Sequence, residues 1–468
     1  MPATELLTDL RATVGEQALL TGDRIRDRSS IDVGEVRAKV LVKPRSTAEV
    51  SSVLRLCHAR GQPVVTHGGL TGLVYGCSAT EGELILSMEA MNHIESVDVG
   101  GRTMRVEAGV ILQRAQEEAE RHGLLFALDL GGRGSATVGG NISTNAGGVR
   151  VVRYGMMRAL VLGLEAVLAD GTVLCSLNRA IKNNTGYDLK QLFIGSEGTL
   201  GVVTRADIRL FPMPRSFNTA MVACKDFDTV IALLGHVDSA LAGQLGAFEV
   251  MWPEFYEICT TPPAPVSPPL PYGHAVYVLM ESLGAQTEAD AARLEETLAS
   301  AMEQGLVEDA VIAKSEAERK TMWGVREDPW HTRRTGPCTD FDVSMPIVDM
   351  PGYVEEIRAM LRERFPTAIP YVFGHIADGN LHIAVSAPDM PKIAEELKRH
   401  MYEPLRAIGG AISAEHGIGL ERKHFLEISR SPAEIAAMRA IKSALDPKHI
   451  LNPGKIFDCQ SAAGDLAK

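Results

Sequence analysis

Two short stretches of this chain hold the side chains best suited to chemistry. The first places His375 and His382 on either side of an Asp-Gly-Asn segment, and the second contains Glu415 followed by His416. Two imidazoles and a carboxylate are ligands that suit Zn²⁺, Fe²⁺ or Mn²⁺, and a set of three leaves a coordination position open for a substrate. We therefore predict a catalytic metal site at His375, His382 and Glu415, with His416 free to move protons.

The residues between the two histidines predict the elements that would position them. Asp378-Gly379-Asn380 has turn chemistry, and Leu381 to Val385 alternates as a strand does. An antiparallel hairpin could therefore bring both rings to one face. The alternative is that both are ordinary strand histidines, because spacings of this kind also occur by chance.

Three glycine-rich segments form a second group of candidate binding residues. They span residues 67–76, 131–148 and 194–202. Such loops expose backbone N–H groups to phosphate and allow close approach of a large flat ligand. A single loop is usually only a tight turn, but three of them each cost folding entropy, which favours a binding role. None has the Gly-x-Gly-x-x-Gly or the Gly-x-x-x-x-Gly-Lys-Ser/Thr pattern, so a nicotinamide-binding Rossmann unit and a P-loop both lose support.

Composition limits the architecture and the class of partner. The 468 residues exceed the size at which one hydrophobic core keeps growing, so we expect two or three domains. The net charge of −12 argues against a broad basic surface for nucleic acid or anionic lipid. Seven cysteines, without a Cys-x-x-Cys pair, indicate reduced thiols. The N-terminal residues lack the pattern of a signal peptide, and no apolar run approaches the ~20 residues of a spanning helix. We therefore expect a cytoplasmic protein that binds no nucleic acid.

Periodicity predicts an alternation of strands and helices. A helix should run from a capping box at Ser46 to Gly61, followed by a strand over Pro63 to Thr66. Further along the chain, the pattern predicts strands at Thr219 to Ala223 and Ala275 to Leu279, and helices at Thr287 to Met302, Pro351 to Phe365 and from Ser431-Pro432 to before Pro447.

The glycine loops are part of a wider resemblance. Together with Lys43-Pro44 and with Leu451-Asn452-Pro453-Gly454-Lys455-Ile456, they resemble the vanillyl-alcohol-oxidase-type FAD-binding flavoproteins. Within them, the chain is similar to the branch of D-lactate dehydrogenase, the glycolate oxidase flavin subunit and D-2-hydroxyglutarate dehydrogenase, from about Ala38 to Phe457. This implies an α+β fold with a PCMH-type FAD-binding domain of two subdomains (residues 1–214), a cap with an antiparallel sheet covered by helices (215–430) and a C-terminal return to the FAD domain (431–468).

The same resemblance implies roles for individual residues. It makes His375, His382 and Glu415 the metal ligands, with zinc as the expected metal and iron or manganese as alternatives, and His416 the catalytic base. Arg326 matches the position that grips the substrate's carboxylate, which the guanidinium fork suits. The alternative for Arg326 is a helix-surface position paired with an acidic neighbour.

The resemblance also implies FAD held without a covalent bond. His67 and Cys77 flank the first loop, but the local pattern is unlike that of relatives that attach flavin through His or Cys. The residues implied to contact FAD are Gly68, Gly69, Thr71, Gly72, Leu73, Thr137, Gly139, Gly140, Asn141, Thr144, Asn145, Gly147, Gly148, Glu197, Gly201, Val202 and Asn452.

Several residues depart from the family pattern. Members that act on 2-hydroxyglutarate have a substrate-binding Lys where this chain has Asp340, and a hydroxyl residue where it has Trp330. Leu70 replaces an Asn, and Ala377 replaces a Gly between the histidines. The reversed charge and the apolar indole predict a preference for D-lactate or larger monocarboxylic 2-hydroxy acids. Alternatively, Asp340 is paired with one of two nearby arginines, and Trp330 is a core residue.

The activity implied is oxidation of a D-2-hydroxy acid to the 2-oxo acid by an FAD- and metal-dependent dehydrogenase, with D-2-hydroxyglutarate dehydrogenase as the alternative. The expected partners are the small 2-hydroxy acid, an electron acceptor such as a quinone or electron-transfer flavoprotein, and a second copy in a homodimer. A non-redox or silent FAD-binding protein on the same scaffold is a more remote alternative, because it would have no use for the predicted metal ligands.

Overall fold

The computed structural model describes residues 3–22, 25, 28, 34 and 36–458. The chain forms two compact units: unit 1 contains residues 1–147, 156–213 and 415–468, and unit 2 contains residues 148–155 and 214–414. Unit 2 and the expected cap share residues 215–414. Among the described residues, no helix is both long and apolar enough to cross a membrane.

The helices occur in both units. In chain order, they are α1 (Ala3–Val14), α2 (Thr47–Arg60), α3 (Leu112–Arg121), α4 (Val138–Thr144), α5 (Val151–Tyr154), α6 (Met157–Leu160), α7 (Lys190–Phe193), α8 (Phe227–Leu241), α9 (Pro253–Thr260), α10 (Thr287–Glu303), α11 (Glu316–Glu327), α12 (Met350–Arg364), α13 (Met390–Tyr402), α14 (Leu426–Ser429) and α15 (Pro432–Leu445).

Unit 1 contains two main sheets and a short two-stranded one. Its strands are β1 (Leu19–Thr21), β2 (Val40–Val42), β3 (Val64–His67), β4 (Leu84–Ser87), β5 (Ile94–Asp98), β6 (Thr103–Glu107), β7 (Leu124–Leu125), β8 (Val161–Val167), β9 (Val173–Ser176), β10 (Val202–Arg209) and β11 (Phe211–Pro212). The orders are β1-β2-β4-β3, β5-β6-β10-β8-β9 and β11-β7. Strands β2, β4 and β3 are parallel, whereas the five-stranded sheet is antiparallel. The two main sheets correspond to the two subdomains that were predicted.

Unit 2 is built on one antiparallel sheet of seven strands. These are β12 (Ser216–Cys224), β13 (Leu245–Met251), β14 (Val276–Gly284), β15 (Asp309–Ile312), β16 (Cys338–Ser344), β17 (Ile369–His375) and β18 (Asn380–Ser386), in the order β15-β12-β14-β13-β17-β18-β16. Helices α8 and α10 pack on each other and on β12 and β14. The prediction of an antiparallel sheet covered by helices is therefore confirmed.

One face of this sheet carries an apolar core that adjoins His382 through Phe373. Helices α9 and α11 supply Phe255, Tyr256, Met322 and Trp323 to a buried apolar cluster with residues of β12, β13, β14, β17 and β18. Phe255 stacks on Phe373 of β17 with ring centroids 4.0 Å apart. This packing fixes the backbone of β17 immediately before His375.

The predicted helix boundaries are set by caps. Ser46 Oγ accepts a bond from Glu49 N at 3.2 Å, and Gly61 ends α2 in the left-handed region. The predicted capping box at this helix is only half formed, because the Glu49 carboxylate accepts from Arg45 N instead of Ser46 N. At α15 both halves of the box are present between Ser431 and Glu434.

Candidate active site

The two candidate ligand histidines lie on neighbouring strands. His375 is the last residue of β17 and His382 lies within β18, which follows through a turn at residues 376–379. Phe373 is paired with His382, and residues two apart on a strand face the same side, so both imidazoles lie on one face of the sheet. Their ring centroids are 5.2 Å apart, with the planes at 82°. The expected hairpin is thus present.

Each of these histidines has a buried carboxylate beside its Nδ1 atom. Glu249 of β13 is paired in register with His375, and its Oε1 lies 2.7 Å from Nδ1. Asp342 of β16 is paired with His382, and its Oδ1 lies 3.6 Å from Nδ1. The exposed fractions of Glu249 and Asp342 are 1% and 0%. Neither acid was predicted from the sequence to belong to the site. The available signal was a carboxylate within a strand that is otherwise apolar or alternating, because a buried charge requires a partner.

Arg326 of α11 joins the first of these pairs. Its Nε donates to Glu249 Oε2 at 2.8 Å, and its Nη2 lies 3.3 Å from His375 Nε2. The guanidinium carbon also lies 4.6 Å from the centre of the Phe373 ring. Arg326 is buried, so the alternative of a surface arginine paired with Glu327 or Asp328 is wrong.

The partners of Glu249 keep it ionised despite its burial. Burial by itself would raise the pKa of the Glu249 carboxyl, but its interactions with His375 and Arg326, which include a hydrogen bond to each, outweigh burial and lower the pKa below its ordinary value. A buried carboxylate between two such partners holds both side chains in place.

Asp342 connects the sheet to the segment that leads to Glu415. Its Oδ2 accepts from Ala414 N at 3.2 Å and lies 3.3 Å from Ser413 Oγ, while Oδ1 accepts from Asn380 Nδ2 at 2.9 Å. Ala414 is bonded to Glu415, so the backbone anchored on Asp342 is the backbone that continues into the second predicted motif.

In unit 1, Glu415 and His416 precede a loop that is held by the partly buried acid Glu197. Glu415 Oε1 lies 4.0 Å from His416 Nε2. The Glu197 carboxylate accepts from Ile418 N at 2.7 Å and from Gly419 N at 2.8 Å. Burial raises the pKa of Glu197, although these N–H donors act in the opposite direction. Glu197 was predicted to contact FAD. In the structure, its carboxylate binds backbone N–H groups of the loop that follows His416.

Two of the residues that depart from the family pattern, Trp330 and Asp340, form a cluster with Arg333 on unit 2. Arg333 Nη2 donates to Asp340 Oδ2 at 2.8 Å, and its guanidinium lies over the Trp330 ring at 4.6 Å. Arg334 instead donates to the backbone oxygens of residues 258, 261 and 262. Of the two arginines considered, Arg333 therefore pairs with Asp340. Trp330 is 53% exposed and is not a core residue.

The first two glycine loops approach each other within unit 1. A Cβ at Gly68 would lie 2.7 Å from Thr137 Oγ1, and one at Gly69 would lie 2.0 Å from Ser135 O. Side chains are therefore excluded where the loops meet. Asn141 is buried, and its Nδ2 has no hydrogen-bond partner among the described residues, which suits a donor to a bound ligand. These features fit FAD.

The other predicted FAD-contacting residues differ in their surroundings. Asn452 bridges Thr66 N and Glu197 O, and Asn145 Oδ1 accepts from Arg158 N. A Cβ at Gly201 would lie 2.7 Å from the Phe193 ring, so close packing alone explains that glycine. The remaining predicted residues differ in exposure and local contacts, and for them the contact with FAD stays a prediction. They are Gly72, Thr71, Leu73, Gly139, Gly140, Thr144, Gly147, Gly148 and Val202.

Leu70 and His67 show how the first loop is built. Leu70 has φ 58°, a left-handed conformation that Asn or Gly adopts at lower cost, so the missing Asn leaves a strained residue. His67 is fully buried and bonds Cys77 O through Nε2 at 2.8 Å, and burial lowers its pKa to about 4. Cys77 is partly buried, and the desolvation of its thiol raises the pKa to about 11. Neither side chain is presented as a nucleophile.

Comparison with known proteins agrees with this architecture. Residues 38–176 match the FAD binding domain family, and residues 213–456 match the C-terminal domain of FAD linked oxidases. The chain is 40% identical over 428 residues to D-2-hydroxyglutarate dehydrogenase, mitochondrial, of Bos taurus, covering 90% of this chain and 77% of that protein. It is 39% identical to D-2-hydroxyglutarate dehydrogenase of Xanthomonas citri pv. viticola over 90% of each chain.

Solved structures share the fold at low identity. p-Cresol methylhydroxylase with substrate bound aligns with a TM-score of 0.78 and 17% identity, over 97% of each chain. Alkyldihydroxyacetonephosphate synthase aligns with a TM-score of 0.74 and 17% identity, over 97% of this chain and 85% of that one. The similarity to these two shows the fold alone. From the family matches and the relatives near 40% identity, the chain belongs to the FAD-linked oxidase family and is an FAD-dependent oxidoreductase.

Proposed function

We propose that this protein oxidises a D-2-hydroxy acid to the corresponding 2-oxo acid. The observation that carries the proposal is the position of Arg326, within hydrogen-bond reach of both Glu249 and His375. A buried guanidinium beside imidazoles with carboxylate partners combines a carboxylate-binding group with candidate metal ligands. An α-hydroxy carboxylate is the substrate that uses both.

The donor set supports a divalent metal in the reaction. The candidate donors are carboxylates and imidazoles, Asp342 and His382 in unit 2 and Glu415 and His416 in unit 1. His375 has its Nδ1 against Glu249 and is the further candidate ligand, as the sequence predicted. Imidazole and carboxylate together suit Zn²⁺, Fe²⁺ or Mn²⁺, and we propose zinc.

The roles of the side chains follow from their chemistry. Bound FAD would supply the hydride acceptor, and a bound metal would polarise the substrate's hydroxyl. Arg326 binds the substrate's carboxylate. His416, the imidazole next to Glu415, takes the proton of the hydroxyl as a general base.

We propose that FAD is held noncovalently. The support is the environment of the two side chains: His67 is fully buried with its Nε2 bonded to Cys77 O, and the raised pKa of the Cys77 thiol disfavours the thiolate. Precipitating the purified protein with acid is expected to release all of the flavin into the supernatant, measured by its absorbance. Flavin that remained in the washed pellet would refute noncovalent binding.

The substrate's side chain is proposed to meet the cluster of Trp330, Arg333 and Asp340. Asp340 lies two residues from Asp342 on β16, so both point to the face that carries His382. Arg333 pairs with the charge of Asp340, which removes the uncompensated repulsion expected from the sequence. The pair has no net charge and Trp330 presents an apolar ring, so neither favours a second carboxylate.

We therefore expect a higher kcat/KM for D-lactate or a larger monocarboxylic D-2-hydroxy acid than for D-2-hydroxyglutarate. The second candidate is D-2-hydroxyglutarate, supported by the names of the relatives. Asp340→Lys should narrow the difference, because it places two cations where the wild type has a neutral pair. Kinetics with a panel of D- and L-2-hydroxy acids and a dye acceptor measure this.

A charge change elsewhere serves as the control. Glu363→Lys makes the same type of substitution on the exposed side of α12 and should leave the substrate order unchanged. If wild-type enzyme preferred D-2-hydroxyglutarate to every monocarboxylate, the second candidate would replace the first. If only L-acids reduced the flavin, the stereochemistry would be wrong.

The electron acceptor, the assembly and the cellular location are further proposals. We propose a quinone or an electron-transfer flavoprotein as acceptor, a homodimer as assembly and the cytoplasm as location. The described cysteines are all unpaired, which supports a reducing compartment.

A further inference from the structure

The surroundings of His375 determine which of its ring nitrogens carries the proton. Arg326 Nη2 is within 3.3 Å of Nε2, and Glu249 Oε1 is within 2.7 Å of Nδ1. A guanidinium only donates hydrogen bonds and an ionised carboxylate only accepts them. The one neutral tautomer compatible with both partners has its proton on Nδ1 and a lone pair on Nε2.

We propose that Glu249 is a positioning residue that holds His375 in the tautomer able to bind a metal through Nε2. This inference rests on the proposed function, because it concerns the same site. A metal-binding histidine commonly donates its other ring N–H to a carboxylate, which orients the ring and raises its basicity as a ligand. Glu249 provides that carboxylate from the adjacent strand β13.

The position and contacts of Glu249 restrict its carboxylate to this role. It is paired in register with His375, is 1% exposed, and has its second oxygen engaged by Arg326 Nε at 2.8 Å. Both carboxylate oxygens are therefore occupied by groups of the candidate site. No other residue is needed to explain why a charged side chain lies within this apolar strand.

Glu281 on the neighbouring strand β14 offers a matched control. It is also fully buried, but its hydrogen bonds go to Arg319, Trp323 and Thr219 and not to a histidine. Glu281→Gln therefore removes a buried carboxylate bonded to arginine while leaving His375 unchanged. It should lower thermal stability without altering metal affinity.

The first experiment measures Zn²⁺ affinity of chelator-treated holoflavoprotein by titration against a competing indicator dye. In Glu249→Gln, the amide can donate to Nδ1 and so place the histidine proton on Nε2. We expect affinity to fall by about 10–100-fold relative to wild type, with flavin content unchanged. Unchanged affinity in Glu249→Gln, or an equal loss in Glu281→Gln, would overturn the inference.

The second experiment measures the proton position directly in wild-type protein. ¹⁵N-histidine labelling of metal-free wild-type protein should give a protonated Nδ1 and an unprotonated Nε2 for His375, assigned with His375→Gln. A proton found on Nε2 would overturn the inference. If His382→Ala kept wild-type Zn²⁺ affinity, the metal site of the proposed function would be wrong. The position of the proton on His375 would still show whether Glu249 sets the tautomer.

Discussion

Replacing His416 with glutamine is expected to slow flavin reduction by roughly 10²–10⁴-fold, the contribution typical of a general base. Glutamine is similar in size but cannot accept a proton at neutral pH. The bound flavin should remain, because His416 is not among the residues predicted to contact it. Stopped-flow measurement of flavin bleaching by substrate under anaerobic conditions isolates this step from the later transfer to an acceptor.

Two further measurements test the assignment of His416 as base. Metal content should stay at the wild-type level in His416→Gln, whereas a ligand would lose it. His424→Gln makes the same change at an exposed histidine nearby in the chain and should reduce flavin at the wild-type rate. Wild-type bleaching in His416→Gln would show that another group removes the proton.

Removing the metal is expected to abolish turnover while leaving the protein yellow. Chelation and the variant His382→Ala should both do so, because His382 lies in unit 2 whereas the glycine loops that fit FAD lie mainly in unit 1. Loss of the Lewis acid leaves the substrate's hydroxyl with its ordinary high pKa, so the proton is hard to remove at neutral pH. Metal analysis, flavin absorbance and dye reduction are measured on the same preparations.

A substitution outside the site controls for damage to the sheet. His400 lies on α13 of unit 2, and the variant His400→Ala should retain metal, flavin and activity. Restored turnover on adding Zn²⁺, Mn²⁺ or Fe²⁺ to chelated wild type identifies the metal. Full activity of His382→Ala in metal-free buffer would exclude the proposed ligand.

The hairpin and the glycine loops could be predicted because their signals are local. Turn residues between His375 and His382 determine a tight reversal, and a period of two places side chains on one face. Ser431 and Glu434 predicted the start of α15 for the same reason, since capping involves residues three apart. The glycine loops were visible as composition, although their contact with each other was not.

The partners of the candidate ligands depended on the tertiary structure. Glu249 and His375 are 126 residues apart in the chain, and only the placement of β13 beside β17 brings them together. The charge of Asp340 could be read from the sequence, but its pairing with Arg333 required the fold. Strand order is set by packing over the whole sheet, which no local pattern encodes. The sequence by itself thus determined which ligand types and loops are present, whereas the fold decided which carboxylate faces each histidine and which charges are neutralised.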